Sequence, residues 1–134
     1  MKTQILLIIQ MRPGLIKGKH MWNFFKRKAL NLECLEIKAM ASGDQGLLLT
    51  EKVSWEGFPK YAEAVVSFLG GRIIERSADS PAERVWTTTI QGQSFWIAYE
   101  DYPLGVSLDP KDSEASSLIP TIRQRLLDLR ASAK

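Results

Sequence analysis

The fold is decided by residues 84–108, which read Arg84-Val-Trp-Thr-Thr-Thr-Ile-Gln-Gly-Gln-Ser-Phe-Trp-Ile-Ala-Tyr-Glu-Asp-Tyr-Pro-Leu-Gly-Val-Ser-Leu108. Residues 84–90 and 94–99 are rich in β-branched and aromatic side chains, a composition typical of strands. Gln91-Gly92 fits a two-residue hairpin turn between them. A second turn at Tyr102-Pro-Leu-Gly105 leads into a third strand. The stretch therefore predicts a three-stranded meander.

Further strands are predicted on the amino-terminal side of this meander. Leu35 and Ile37 alternate with charged residues, which is the period of a strand with one buried face. The apolar run that begins at Leu47 and the run Arg72-Ile-Ile-Glu-Arg76 are each bounded by polar or glycine-rich loops. The predicted strands span residues 30–40, 47–53, 72–78, 84–90, 94–100 and 104–108.

Two amphipathic helices are predicted from apolar residues that recur at intervals of three and four. The first begins at Phe58-Pro59 and is stopped by Gly70-Gly71. The second is interrupted by Pro120, because proline removes a hydrogen bond inside a helix. We therefore expect a short turn from Ser113, followed by a main helix from Pro120 to about Ala131. Its apolar stripe consists of Leu118, Ile122, Leu126 and Leu129.

The order of these elements is ββαββββα, which predicts an α+β fold. Short connections favour antiparallel neighbours, so we expect a single mostly antiparallel sheet. Two helices suffice to cover one face of such a sheet. The other face must then be solvated or covered by a partner.

The two-residue turn at 91–92 fixes which side chains share a face of the sheet. With this turn, Trp86 lies opposite Ile97 and Thr88 opposite Phe95. A slip of one residue would exchange the two faces. The face predicted to be buried carries Trp86, Ile90, Phe95, Ile97 and Tyr99. The opposite face carries Val85, Thr87, Thr89, Ser94, Trp96 and Ala98.

Trp96 is the unusual member of the second face. A tryptophan among threonines on an uncovered surface is typical of an anchor for another protein. We therefore predict Trp96, with Thr87 and Thr89 beside it, as a partner-binding site. The alternative is that residues 1–25, or a twin subunit, simply cover this side chain.

The amino-terminal residues differ from the rest of the chain. Residues 1–20 hold four Lys/Arg and no acid, and we interpret them as a basic leader or arm preceding a single domain at 21–134. An edge strand at residues 4–11 is the alternative. The apolar run at residues 5–9 is too short for a membrane span or a signal peptide. Residues 22–28 have an aromatic half and a cationic half, which fits either a short membrane anchor or cover for the core.

The charge of the chain divides unevenly. The whole sequence carries a formal charge of +3, whereas residues 30–134 hold 11 Lys/Arg against 15 Asp/Glu, a charge of −4. An acidic body argues against nucleic-acid binding on the domain, since such surfaces need clustered Lys/Arg. A basic tail that touches phosphates is a separate possibility confined to residues 1–20. With one cysteine and no disulfide, a reducing cytoplasmic location is expected.

The residues predict no catalytic, cofactor-binding or metal site. Cys34 stands alone, and the one histidine, His20, precedes the predicted domain, so a nucleophile and base pair is not indicated. Gly70-Gly71 follows a helix instead of opening one, so it is not a phosphate-binding loop. The acids at 100–114 match no calcium-binding spacing and are explained by helix caps and solvated charges. The chain is therefore predicted not to be an enzyme.

Residues Tyr99-Glu-Asp-Tyr-Pro-Leu-Gly-Val-Ser-Leu-Asp-Pro-Lys-Asp-Ser-Glu-Ala115, continuing to Leu118 and Ile122, carry a resemblance. They are similar to the carboxyl-terminal pattern of small uncharacterised bacterial proteins of about 100 residues, a domain of unknown function. The resemblance covers the last third of the chain and implies a bacterial source. It implies no functional residue.

Three functions remain open from the sequence. The first is a non-catalytic protein-binding domain, of which one form is an immunity protein that masks a bacterial toxin's basic active site. The second is a small-ligand pocket between sheet and helices, or an undetected enzyme. The third is a homodimer paired through sheet edges or through the uncovered face.

Overall fold

A computed structural model describes residues 30–133 of the chain. These residues form six strands, two helices of more than two turns, and one short helical turn. The strands are β1 (Glu36–Ala39), β2 (Gln45–Thr50), β3 (Arg72–Asp79), β4 (Glu83–Ile90), β5 (Gln93–Asp101) and β6 (Leu104–Pro110). The helices are α1 (Phe58–Phe68), the short α2 (Ser113–Ser116) and α3 (Ile119–Ser132). The α+β order ββαββββα is confirmed, with α2 as the short turn predicted before the main helix.

The six strands make one sheet in the order β1-β2-β6-β5-β4-β3, and every neighbouring pair is antiparallel. The predicted meander β4-β5-β6 is present, and it lies within the sheet between β2 and β3. Helix α1 carries the chain from β2, on one side of the meander, to β3 at the far edge.

The turn between β4 and β5 has the backbone that a two-residue hairpin needs. Gln91 and Gly92 both have positive φ, at 54° and 78°, which matches the right-handed twist of the adjoining strands. The predicted register is confirmed, with Trp86 opposite Ile97. This turn therefore determines which side chains of β4 and β5 lie on each face of the sheet.

The core lies between one face of the sheet and the helices. Trp86 is fully buried, and the ring of Phe58, the first residue of α1, meets it edge-on at 4.9 Å between centroids. Ile122 and Leu126 of α3 are fully buried in the same cluster. Both helices thus cover the same face, because their apolar stripes need a single apolar surface to pack against.

The first strand is shorter than the predicted range of 30–40. Leu35 adopts a positive φ of 49°, which ends regular strand geometry before β1 begins. Two arginines of α3 bind this segment: Arg123 Nε donates to the Leu35 carbonyl at 2.7 Å, and Arg130 Nη1 donates to the Leu32 carbonyl at 2.9 Å. Residues 30–35 therefore lie against α3 and form no regular strand, although the Cys34 N–H still donates to the Leu49 carbonyl of β2 at 3.2 Å.

The boundary between α1 and β3 depends on two consecutive glycines. Gly70 has a φ of +77°, a conformation that favours glycine at the end of a helix. Gly71 packs so closely on β4 that a Cβ there would lie 2.2 Å from the Thr89 carbonyl oxygen. The predicted helix stop is thus also a point of close backbone approach.

Several predictions concern residues outside the described range. These are the leader at 1–20, the start of the domain at residue 21, the strand alternative at 4–11, and the aromatic and cationic stretch at 22–28. Among the helices of residues 30–133, none combines the length and the apolar character needed to cross a bilayer.

Candidate protein-binding face

One face of the sheet is free of the helices that the structure describes. Its side chains alternate along each strand with those of the core, and most of those on β4 and β5 are half-buried. Within residues 30–133 the helices pack on the opposite face. We call this surface the uncovered face. On the central hairpin it consists of Val85, Thr87, Thr89, Ser94, Trp96 and Ala98.

Antiparallel pairing arranges the uncovered face in four rows that run across the strands. Side chains paired across neighbouring strands share a face, so each row is a set of direct neighbours. The basic row holds Arg72, Thr89, Ser94 and Lys111. The tryptophan row holds Glu75, Thr87, Trp96, Asp109, Gly46 and Lys38. The small row holds Ala78, Val85, Ala98, Ser107, Leu48 and Glu36. The acidic row holds Glu83, Glu100 and Gly105.

The structure places the predicted binding residues together on this face. Trp96 lies directly opposite Thr87, and Thr89 lies in the adjacent row. Lys111 connects the first two, because its Nζ lies 5.1 Å from the Trp96 ring centroid and donates to Thr87 Oγ1 at 3.2 Å. Ser77 Oγ lies 2.7 Å from the same hydroxyl. Trp96 therefore sits half-buried beside a cation and a set of hydroxyl groups.

Asp109 is a feature of the uncovered face that the sequence analysis missed. Ser107 Oγ donates to its Oδ2 at 3.2 Å, whereas its buried Oδ1 has no hydrogen-bond partner among residues 30–133. Burial raises the pKa of this carboxyl, and the charge of Lys38 and the Ser107 hydrogen bond oppose that shift. Gly46 leaves room for it, since a Cβ there would lie 2.6 Å from Oδ1. Alternation along β6 was the signal that could have placed Asp109 on this face.

The acidic row contains two glutamates at directly opposite positions on neighbouring strands. Glu83 and Glu100 lie opposite each other across the β4-β5 ladder, and both side chains are exposed. Like charges directly opposite are unfavourable in a sheet. Neither carboxylate forms an ion pair within the part of the chain that the structure describes. This end of the uncovered face is therefore suited to a cationic neighbour.

A cluster of arginine and tryptophan on the opposite side of the sheet has a structural role. Buried Arg84 stacks on Trp55 with its guanidinium carbon 3.7 Å from the ring centroid. Its Nε lies 2.6 Å from Asp79 Oδ1, an ion pair whose angles fall outside those of a hydrogen bond. Trp55 Nε1 donates to the Ser80 carbonyl at 2.9 Å. Each charged group already has a partner, so the cluster pins the β2-α1 loop to the β3-β4 hairpin.

The described residues offer weaker support for other chemistry. Burial, and then the nearby carboxylates led by Glu33, raise the pKa of the Cys34 thiol, which disfavours the reactive thiolate. No three His, Cys, Asp or Glu side chains in residues 30–133 are grouped as metal ligands would be. An open groove of about 450 Å³ lies between α1 and β3. Four charged residues line it, Glu63, Arg72, Glu75 and Arg76, and of these Glu63 and Arg76 form an ion pair at 3.7 Å.

Residues 35–122 match a family model described as a protein of unknown function, DUF3630. The chain belongs to the DUF3630 family. The DUF3630 match covers all six strands, α1, α2 and the start of α3, and so includes the whole uncovered face. It begins well before the last third of the chain, to which the sequence resemblance was confined. Searches of curated proteins and of solved structures found no match.

Proposed function

We propose that this DUF3630 chain is a non-catalytic domain that binds another protein through the uncovered face. Trp96 is the residue that carries the proposal. A half-buried tryptophan at the centre of a sheet face, bordered by small side chains, has the composition of an interface anchor. Thr87 and Thr89 supply hydroxyl groups beside it. A bacterial source and a cytoplasmic location are part of the same proposal.

The polar groups of the face support the same conclusion. The unpartnered oxygen of Asp109 is buried at a cost that a donor from another molecule would offset. The Glu83 and Glu100 pair is likewise unfavourable until a cation approaches. A surface that holds such groups beside an aromatic anchor is better suited to a protein than to solvent.

Photo-crosslinking tests the proposal at a defined position. A photoreactive benzoylphenylalanine replaces Thr87 on the uncovered face and, as the matched control, Gln124, which is exposed on α3. After irradiation in an extract of the source cell, we expect protein adducts at position 87 that are absent at position 124. Adding Trp96→Ala should remove them. Tyr102→Ala, which deletes a 96% exposed aromatic residue in the β5-β6 turn, should leave them unchanged. Equal labelling at both positions, or none, contradicts the proposal.

An immunity-type inhibitor of a bacterial toxin is a second candidate. The observation that favours it is the charge of the body, −4 over residues 30–134, together with the acidic row. Acidic surfaces steer basic partners electrostatically and accelerate their association. The adduct at position 87 would then be a basic toxin, and its association rate would fall steeply with added salt. Salt-independent association would contradict this reading and leave the wider proposal standing.

A further inference from the structure

We propose that the occupant of the uncovered face is a second copy of this chain, packed face to face with its strands antiparallel to those of the first. This inference rests on the proposed function, because it takes the same face to be a protein-binding surface. It adds the identity of the partner and the direction of packing. The argument depends on the order in which charge and side-chain size change along the strands.

Charge on the uncovered face changes sign along the strand direction. The basic row carries Arg72 and Lys111, and the acidic row carries Glu83 and Glu100. The two rows lie six residues apart on β5, from Ser94 to Glu100, which corresponds to about 20 Å. A face with opposite charges at its two ends complements a copy of itself that is turned end for end. It does not complement a copy in the same direction, since like rows would then meet.

A two-fold axis that lies between two stacked sheets and runs across the strands produces this reversal. If the axis passes between the tryptophan row and the small row, each strand lies over its own copy, with aligned sheets about 10 Å apart. Glu100 then lies over Ser94 of the second copy, next to Lys111 on the neighbouring strand. Glu83 likewise lies over Thr89 of the second copy, next to Arg72. Both members of the unfavourable glutamate pair thereby gain a cation within reach.

The same axis fits the large side chain to the small ones. It places Trp96 of each copy over Ala98 of the other, because these residues are two apart on β5. Ala98 is flanked by Val85 and Ser107, which leave room for an indole ring. Large residues packed on small ones give the interdigitation that stacked sheets need. The arrangement is isologous, so one mutation acts twice in the dimer.

The edge strand β1 adds an independent agreement. Lys38 and Glu36 lie in the tryptophan row and the small row, so the axis places Lys38 of one copy over Glu36 of the other. The position of the axis was chosen from Trp96 and Ala98, so the match between Lys38 and Glu36 is an independent result. Opposite charges thus face each other at both the β1 side and the β4-β5 side of the sheet.

Pairing through the edges of the sheet is less favourable. The β3 edge carries two register shifts, one between Ile73 and Glu75 and one between Glu75 and Ala78. Bulges and exposed charges of this kind protect an edge against strand addition. The β1 edge is a strand of four residues. The uncovered face is therefore the better surface for a second copy.

The test measures the mass of the full-length chain by size-exclusion chromatography with light scattering, over a range of concentrations. We expect twice the chain mass of 15.1 kDa. Glu100→Lys and Lys111→Glu should each weaken dimerisation roughly tenfold, since each introduces like-charge contacts at two symmetric positions. The double variant should recover most of the loss, because it exchanges the two charges. Glu114→Lys, an exposed charge reversal on α2, is the matched control and should have no effect.

Each outcome separates this inference from the proposed function. A monomer at all concentrations overturns the second copy as occupant, whereas the proposed function fails if position 87 gives no protein adduct or is labelled no more than position 124. A dimer that neither Glu100→Lys nor Lys111→Glu weakens lies elsewhere on the molecule and also overturns the inference. Single variants that weaken the dimer without rescue by the double variant overturn the antiparallel direction. Thermal unfolding of every variant shows that a loss of dimer is not a loss of fold.

Discussion

Arg84 and Trp55 form a stacked pair, with the guanidinium carbon 3.7 Å above the centre of the indole. The contact joins β4 to the loop between β2 and α1, and Arg84 Nη1 also donates to the Trp55 carbonyl at 3.2 Å. Lysine keeps the charge but loses the planar stack and the second donor. We expect Arg84→Lys to lower the free energy of unfolding by about 1–2 kcal/mol in urea titrations. Arg72→Lys, at an exposed position, should change it by less than about 0.5 kcal/mol. Equal effects would mean that the stack adds nothing.

Truncation of the two tryptophans on adjacent strands should lower the free energy of unfolding by very different amounts. Trp86 is fully buried against Phe58, whereas Trp96 is half-buried on the uncovered face. We expect Trp86→Ala to cost about 3–5 kcal/mol of unfolding free energy, through lost burial and the cavity left behind. Trp96→Ala should cost less than about 1 kcal/mol when measured on dilute protein. A larger loss at Trp96 would mean that the two faces are assigned the wrong way round.

The contrast between these tryptophans was predictable because its causes are local. The turn at Gln91 and Gly92 fixes the β4-β5 register, and strict alternation then assigns every side chain to a face. Strand β1 was predicted too long because Leu35 has an unusual backbone conformation, imposed by contacts with α3. Arg123 of α3 is 88 residues from Leu35 in sequence, so the residues around Leu35 do not reveal this contact.

The site was predictable only in part, for the same reason. Trp96 stands out in the sequence by residue type, and Thr87 and Thr89 follow from alternation. Asp109 was interpreted as a cap or a solvated charge, because its burial depends on Gly46 of a distant strand. The opposition of Glu83 and Glu100 follows from the predicted register, yet charge pairing across the ladder was not part of the sequence analysis.

Gly71 should tolerate no side chain. A Cβ at this position would lie 2.2 Å from the Thr89 carbonyl oxygen, so β3 and β4 would have to separate. We expect Gly71→Ala to lower the unfolding free energy by about 1–3 kcal/mol. Gly57→Ala is the control, since its φ of −83° suits alanine and its nearest neighbour is the Ser54 side chain. A Gly71→Ala protein as stable as wild type would show that the two strands separate without cost.

Asp109 should make stability depend on pH in a defined direction. Because burial raises its pKa in the folded state, the fold holds this proton more tightly than the unfolded chain does. The linked stability is present below the unfolded-state pKa and is lost as pH rises through the folded-state pKa. Asp109→Asn keeps the shape and removes the charge. We expect its unfolding free energy to exceed that of wild type by roughly 1 kcal/mol at pH 7. The difference should disappear under acid conditions, and a constant difference across pH would refute the assignment.

The strand order also constrains how the chain assembles. The meander closes through two tight turns, whereas Thr50 of β2 pairs with Val106 of β6, 56 residues later. Bringing distant segments together costs more chain entropy than closing a hairpin, so long-range pairing is slow. During synthesis β1 and β2 leave the ribosome first, yet their place in the sheet exists only after β6 has emerged. We therefore expect the β1-β2 hairpin to gain hydrogen-exchange protection last. During and shortly after synthesis, it is then the segment most exposed to chaperones and proteases.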